Sequence, residues 1–222
     1  MNKGTMFRTA GLCALLAGLA ACGNTSTDET SATGILGTLR DTVRQEVAQR
    51  REGSKPAAPA KTQQQRAAEA LRVNPGPLVM VDFEKLGQTP IMAMTGQNRA
   101  MRTFMTPAEE ALILRNGMLV GTRGLGNDLS VAEPQTEALI RAGRSGNGQR
   151  VMRYFSGDGL ERPLQFDCSV APGPNAGVMI ESCKGHGVSF QNNYMVQGSQ
   201  IPVSRQWVGP ALGYVTIQTL RP

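Results

Sequence analysis

The 222-residue chain is poor in the residues on which much enzyme chemistry rests: it has one histidine, four cysteines, one Trp, three Tyr and six Phe. With a single His186 and no Cys-x-x-Cys spacing, a metal site is a weak reading. A serine hydrolase is disfavoured as well, because no Gly-x-Ser-x-Gly occurs and His186 lies inside Lys184-Gly185-His186-Gly187, which reads as a hairpin tip. Past residue 22 no apolar run is long enough to span a bilayer as a helix. No cofactor is implied by any motif.

What is present begins at the N-terminus. Lys3 and Arg8 precede a short apolar run, Gly11-Leu12-Cys13-Ala14-Leu15-Leu16-Ala17-Gly18-Leu19, which is a targeting segment in length and charge. It ends in Leu19-Ala20-Ala21-Cys22, similar to the lipobox of bacterial lipoproteins, where small residues fit the peptidase and the thiol accepts the lipid. An ordinary export signal with an incidental cysteine is the rival, but the polar tether Gly23-Asn24-Thr25-Ser26-Thr27 comes at once after it. Residues 1–21 are therefore read as a lipoprotein signal peptide and Cys22 as the lipidated N-terminus, carrying diacylglyceryl and palmitate-type chains. Two or three acyl chains hold a protein stably where one does not. Gly23 is not a retaining Asp, so the expected location is the outer membrane, facing the periplasm.

Removing residues 1–21 takes away Lys3, Arg8 and no acid, leaving 21 cations, 17 of them Arg, against 17 acids. The cations are spread along the chain, and nucleic acid is not an expected partner. Cys168 and Cys183 are the two thiols left in the exported domain. An even pair in an oxidising compartment reads as a disulfide, with a metal as the weaker alternative.

The segment 22–77 reads as a lipidated tether. Ile35, Leu36, Leu39, Val43 and Val47 predict an amphipathic helix ending near Gly53, and then the linker Ser54-Lys55-Pro56-Ala57-Ala58-Pro59-Ala60. Thr62 caps a second short helix over Gln63–Val73, stopped by Asn74-Pro75-Gly76-Pro77. The helices either dock on the C-terminal domain or space it from the membrane.

Residues 78–222 form a mainly β domain. Strands are predicted at 78–84, 90–95, 99–105, 110–115, 118–123, 149–155, 163–170, 177–183, 187–196, 201–207 and 213–220. Asn116-Gly117 is the pair a type I′ hairpin turn prefers, and Asp158-Gly159 is a second candidate turn. Leu164, Phe166, Cys168 and Val170 alternate with Gln165, Asp167 and Ser169, so Cys168 faces the core. One helix, Glu133 to Gly143 with Pro134 at its first turn, is expected to cross between two groups of strands.

Three runs carry a resemblance to the YjbF/GfcB family of group 4 capsule and exopolysaccharide lipoproteins: Leu114-Arg115-Asn116-Gly117-Met118-Leu119-Val120-Gly121-Thr122-Arg123-Gly124-Leu125-Gly126-Asn127-Asp128-Leu129, Phe190-Gln191-Asn192-Asn193-Tyr194, and Ser204-Arg205-Gln206-Trp207-Val208-Gly209-Pro210 with Gly213-Tyr214-Val215. The resemblance covers roughly Leu78 to Pro222, plus the lipobox, and implies a β-barrel-like domain, so the expected fold is an antiparallel β-barrel or half-barrel preceded by the short N-terminal helices. The resemblance also implies a part in polysaccharide production or export, with no known active site.

The loop from Gly121 to Asp128 lacks the Gly-Lys-Ser/Thr of a phosphate loop, so its glycines read as turn residues. Arg123 and Asp128 are candidates for a glycan or partner surface. Arg205, Gln206 and Trp207 are further candidates for that surface, because Trp faces stack on sugar rings, although a lone Trp is by default a core residue. The expected partners are the membrane through Cys22, polysaccharide and proteins of the export machinery. The leading expectation is a non-enzymatic accessory of polysaccharide secretion. The rivals are a purely structural envelope lipoprotein and a polysaccharide-modifying hydrolase, which would need two facing carboxylates from among Asp82, Glu84, Asp128, Asp158, Asp167 and Glu181.

Overall fold

The computed structural model describes residues 60–155 and 160–222. The expected first helix, the lipobox, Cys22 and the Asp158-Gly159 turn lie outside the described residues. Helix α1, Gln63–Val73, falls where the sequence predicts it. The Thr62 hydroxyl accepts from the Gln65 amide while the Gln65 side chain reaches back to the Thr62 amide, a reciprocal cap of the first turn. Two arginines tie the helix to residues farther along the chain: Arg66 donates to the Thr89 carbonyl, and Arg221 donates to those of Leu71 and Asn74.

Twelve antiparallel strands come next: β1 (Leu78–Phe83), β2 (Ile91–Asn98), β3 (Met101–Met105), β4 (Ala111–Arg115), β5 (Met118–Arg123), β6 (Leu129–Pro134), β7 (Gly146–Phe155), β8 (Glu161–Pro172), β9 (Val178–Gly185), β10 (Val188–Gln197), β11 (Gln200–Gly209) and β12 (Gly213–Arg221). Except for β5 and β6, consecutive strands pair with each other, and β1 also pairs with β12, Val81 opposite Ile217. The ladder is interrupted only between β5 and β6, which stand at the two ends of the hydrogen-bonded order. They nevertheless lie side by side, since a Cβ on Gly121 would come 3.4 Å from the Ser130 carbonyl oxygen. The result is the antiparallel barrel expected from sequence, closed except at one seam.

The hairpin at Asn116-Gly117 has φ of 50° and 86° at its two central residues, as a type I′ turn requires. Gly117 is doubly constrained, because a Cβ there would meet Ile201 at 2.9 Å. His186 and Gly187, with φ of 50° and 73°, make a second turn of this kind.

The segment after the glycine loop corrects the sequence reading. Leu129–Pro134 is strand β6 rather than loop and helix start, and the helix is confined to α2, Glu137–Arg141. Pro134 is not a helix N1 residue but the last residue of β6, opposite Arg150. An edge strand tolerates the missing N–H that a central strand does not.

Alternation in the long strands fills the barrel. Phe166, Cys168 and Val170 are buried on β8 while Asp167 and Ser169 are exposed. Phe190 stacks on Trp207 with ring centroids 4.4 Å apart, and Phe166 meets both edge-on. At the other end a smaller apolar cluster of Met118, Val170, Met179, Tyr194 and Ile201 is capped by Ile140 of α2. No helix among the described residues is long and apolar enough to cross a membrane.

Candidate functional site

Cys168 and Cys183 are joined by a disulfide. They are directly opposite each other on β8 and β9, both buried. Glu181 lies near the two sulfurs, but thiols held in a disulfide offer no thiolate to a metal, and the Glu181 carboxylate is engaged elsewhere.

The residues proposed from sequence as a glycan or partner surface separate into three environments. Asp128 accepts from the Thr122 hydroxyl at 2.8 Å and from the amides of Gly124 and Leu125 at 2.9 and 3.2 Å. It thereby shapes its own loop. Arg123 donates to the carbonyls of Leu129 at 3.2 Å and Ser130 at 3.3 Å, bridging the β5/β6 seam with its guanidinium where the backbone ladder is interrupted.

Gln206 and Trp207 are in the interior and form no surface. Trp207 belongs to the aromatic core. Gln206 is 1% exposed, accepts from the Leu119 amide across the barrel at 3.1 Å, and donates to Ser204 at 2.9 Å. It lies beside a buried polar network that sequence reasoning did not identify. There Arg150 Nη2 donates to Glu181 Oε2 at 2.8 Å and to the Tyr194 hydroxyl at 2.9 Å. Tyr194 in turn donates to Glu181 at 3.1 Å. Asn192 Nδ2 donates to the same carboxylate at 2.8 Å, Thr136 bonds its other oxygen, and Asn192 Oδ1 accepts from the Trp207 amide at 2.7 Å. Burial alone would raise the Glu181 carboxyl, but the Arg150 charge and the Thr136 and Asn192 donors hold it below its ordinary value. Burial pushes the Tyr194 phenol well above its own. Among the described residues no buried side-chain nitrogen or oxygen is without a partner. A satisfied network of this kind fixes register and shape.

Arg205 alone of the five lies in a groove. Its Nε and Nη2 each donate to a Glu84 oxygen at 2.6 Å, and its guanidinium carbon sits 3.7 Å over the centroid of the Tyr214 ring. Hydrogen bonding to Arg205 lowers the Glu84 pKa. The Tyr214 hydroxyl accepts from the Gln191 amide at 3.2 Å. From this wall the groove, about 1040 Å³, runs across β10, β9, β8 and β7 on the face opposite the core.

Strand register composes its floor. Asn147, Ser169, Ser182 and Gln191 are successive cross-strand partners on four adjacent strands, and beside them run Gln149, Asp167, Lys184 and Ser189 in the same manner. Asn193 faces Arg205 across β10 and β11. Gln191 donates to Ser182 at 3.0 Å. Asn147, Ser169, Ser189 and Asn193 have side chains with no hydrogen-bond partner among the described residues. The surface thus offers hydroxyls and carboxamides at the strand spacing of about 4.8 Å. Period-two alternation in β8 and β10 was the available signal: Asp167 and Ser169, like Gln191 and Asn193, occupy the face away from the core.

The candidate carboxylates are dispersed in role. Glu84 is bound to Arg205, Asp128 to its loop, Glu181 to the interior network, and Asp82 accepts from Thr89 at 3.2 Å. Asp167 is exposed on the groove floor opposite Lys184, and Asp158 lies outside the described residues.

Over residues 38–220 the chain matches the family described as group 4 capsule polysaccharide lipoprotein gfcB, YjbF. No curated protein sequence matches it significantly. Among solved structures it is similar to the hypothetical lipoprotein YmcC from Escherichia coli (K12), with a TM-score of 0.58 and 17% identity over 74% of this chain and 98% of that one. At that identity the likeness concerns the fold.

Proposed function

We propose, because the chain belongs to the YjbF family of group 4 capsule polysaccharide lipoproteins, that it is a non-enzymatic outer-membrane lipoprotein which assists capsule or exopolysaccharide export by holding the polysaccharide on its barrel. Lipidation at Cys22 anchors it to the membrane, with the segment 22–77 as its tether. The observation that carries the reading is the groove: a polar floor in strand register, with hydroxyl and carboxamide groups that have no partner among the described residues, bounded by the Arg205–Tyr214 wall. Sugar hydroxyls exchange water for such donors and acceptors at little net cost. The carboxylates support a binding role, because Glu84, Asp128 and Glu181 are each engaged by partners of their own chain.

The test is cell-surface polysaccharide measured in cells carrying folded single variants. Asp82 lies outside the groove, and Asp82→Ala leaves output near wild type, while Cys22→Ser lowers it. A stable, anchored variant of one acid that abolishes polymer processing would establish catalysis, since removing a general acid or base costs two or more orders of magnitude in rate.

A further inference from the structure

The groove has a charge pattern that selects among polysaccharides. Two cations lie in it, Arg205 and Lys184. Arg205 is bound by both oxygens of Glu84, and Lys184 stands directly opposite Asp167 on the neighbouring strand. Of the two, only Arg205 is in an ion pair among the described residues, but Asp167 is the direct cross-strand partner of Lys184, so the two cations and the two carboxylates sum to zero charge. A uronate, phosphate or pyruvate substituent entering the groove therefore gains the Lys184 charge only against the opposing charge of Asp167 on the neighbouring strand. Displacing Glu84 from Arg205 would break two charge-assisted hydrogen bonds of 2.6 Å.

The rest of the lining is uncharged and well suited to hydroxyls. Asn147, Ser169, Ser189 and Asn193 have no side-chain partner among the described residues, and the Tyr214 hydroxyl accepts from the Gln191 amide with its own O–H free to donate toward the groove. The row Asn147, Ser169, Ser182, Gln191 crosses the strands, so its groups repeat at about 4.8 Å in one direction. Between β7 and β12 the row and the Arg205–Tyr214 wall extend over roughly 24 Å, five strand spacings. That length fits several linked sugar rings laid across the strands and exceeds what a single monosaccharide needs.

We propose that the groove over β7 to β12 binds an uncharged polysaccharide segment, laid across the strands, with Ser169 and Asn193 bonding its hydroxyls and the Arg205–Tyr214 pair forming a fixed side wall. This rests on the reading of the protein as a polysaccharide-binding lipoprotein and adds the class of chain it takes. Because no charge is exchanged, binding is nearly independent of ionic strength, whereas capture of a polyanion falls as salt screens it.

The experiment uses the full chain and cell-surface polysaccharide from cells that express it, divided by anion exchange into a neutral and an acidic pool. Affinity electrophoresis of the protein in each pool is run at low and high salt. The neutral pool retards the protein equally at both. The double variant Ser169→Ala/Asn193→Ala, which removes two side chains with no partner among the described residues, weakens that retardation about tenfold, the effect of losing two hydrogen bonds of ordinary strength. Retention by the acidic pool alone, released by salt, overturns the uncharged-chain inference and leaves the functional reading standing. Neutral-pool binding unchanged in the double variant removes the site from this groove. Retention by neither pool overturns the polysaccharide-binding reading itself.

Discussion

Arg150 of β7 reaches past β8 to place Nη2 2.8 Å from Glu181 Oε2 of β9, and the two side chains are 1% and 0% exposed. An ion pair so far from water is held by its hydrogen bonds as much as by its charges, and its members are unequal to replace. Glu181→Ala strands a buried guanidinium, and a loss of roughly 3–5 kcal/mol is expected in urea denaturation. The double replacement Arg150→Met/Glu181→Leu removes both charges and is expected to recover most of that loss. A single variant as stable as wild type would show that the pair is not desolvated.

The same network makes stability depend on acid. Arg150 holds the folded-state Glu181 pKa below the ordinary value of 4.5 against the opposing effect of burial. The unfolded chain therefore takes up the proton first. The Glu181 contribution is complete above the unfolded pKa and is lost as pH falls through the folded one. Urea midpoints measured downward from neutral pH are expected to drop in this window, less steeply in Glu181→Gln. Tyr194 acts at the other extreme: its pKa is raised, so its contribution is complete below 10 and is lost as pH climbs toward the folded value.

Cys168 and Cys183 close a separation of 15 residues. The chain-entropy account gives about 3 kcal/mol for such a loop. Cys168→Ser/Cys183→Ser is expected to lose stability of that order, and mass spectrometry of exported protein alkylated without reduction should find the two peptides linked. Two alkylated thiols would contradict the pairing.

Arg123 serves the seam, where its guanidinium bonds the Leu129 and Ser130 carbonyls. Arg123→Ala leaves β5 and β6 without that bridge. Amide hydrogen exchange in both strands is expected to quicken by about tenfold or more, with smaller change in β9 and β10, because local opening is governed by the bonds that close it. Uniform protection in the variant would mean that packing alone closes the barrel.

At the membrane, Cys22→Ser is expected to abolish palmitate labelling and release the protein into the soluble fraction, since stable anchoring needs the acyl chains. Labelling that persists in this variant would exclude Cys22 as the acceptor.

Local chemistry made much of the architecture legible. The Thr62 cap and the Asn74-Pro75-Gly76-Pro77 stop bound α1, Asn116-Gly117 sets a turn that few other pairs adopt, and the alternation through Cys168 points it inward toward Cys183. β6 escaped because Leu129 to Pro134 is short and ends in a proline, a pattern shared by a helix start and an edge strand. Only its place beside the seam distinguishes the two.

The sequence by itself determined the mainly β class, the disulfide pair and the family resemblance, because these depend on residue types and near neighbours. Tertiary structure decided which polar residues face inward and which face the groove. Asn192 and Asn193 are identical in type and adjacent in sequence, yet one is buried against Glu181 and the other lies opposite Arg205 on the outer face. Gln191 and Gln206 divide in the same way. A period of two separates the faces of a strand, but where both carry polar side chains it does not say which is the core. That choice is made by closure of the barrel, which brings Arg150, Glu181 and Tyr194 from three strands into one enclosed volume and leaves Ser169, Asn193 and Arg205 on the other side of the sheet.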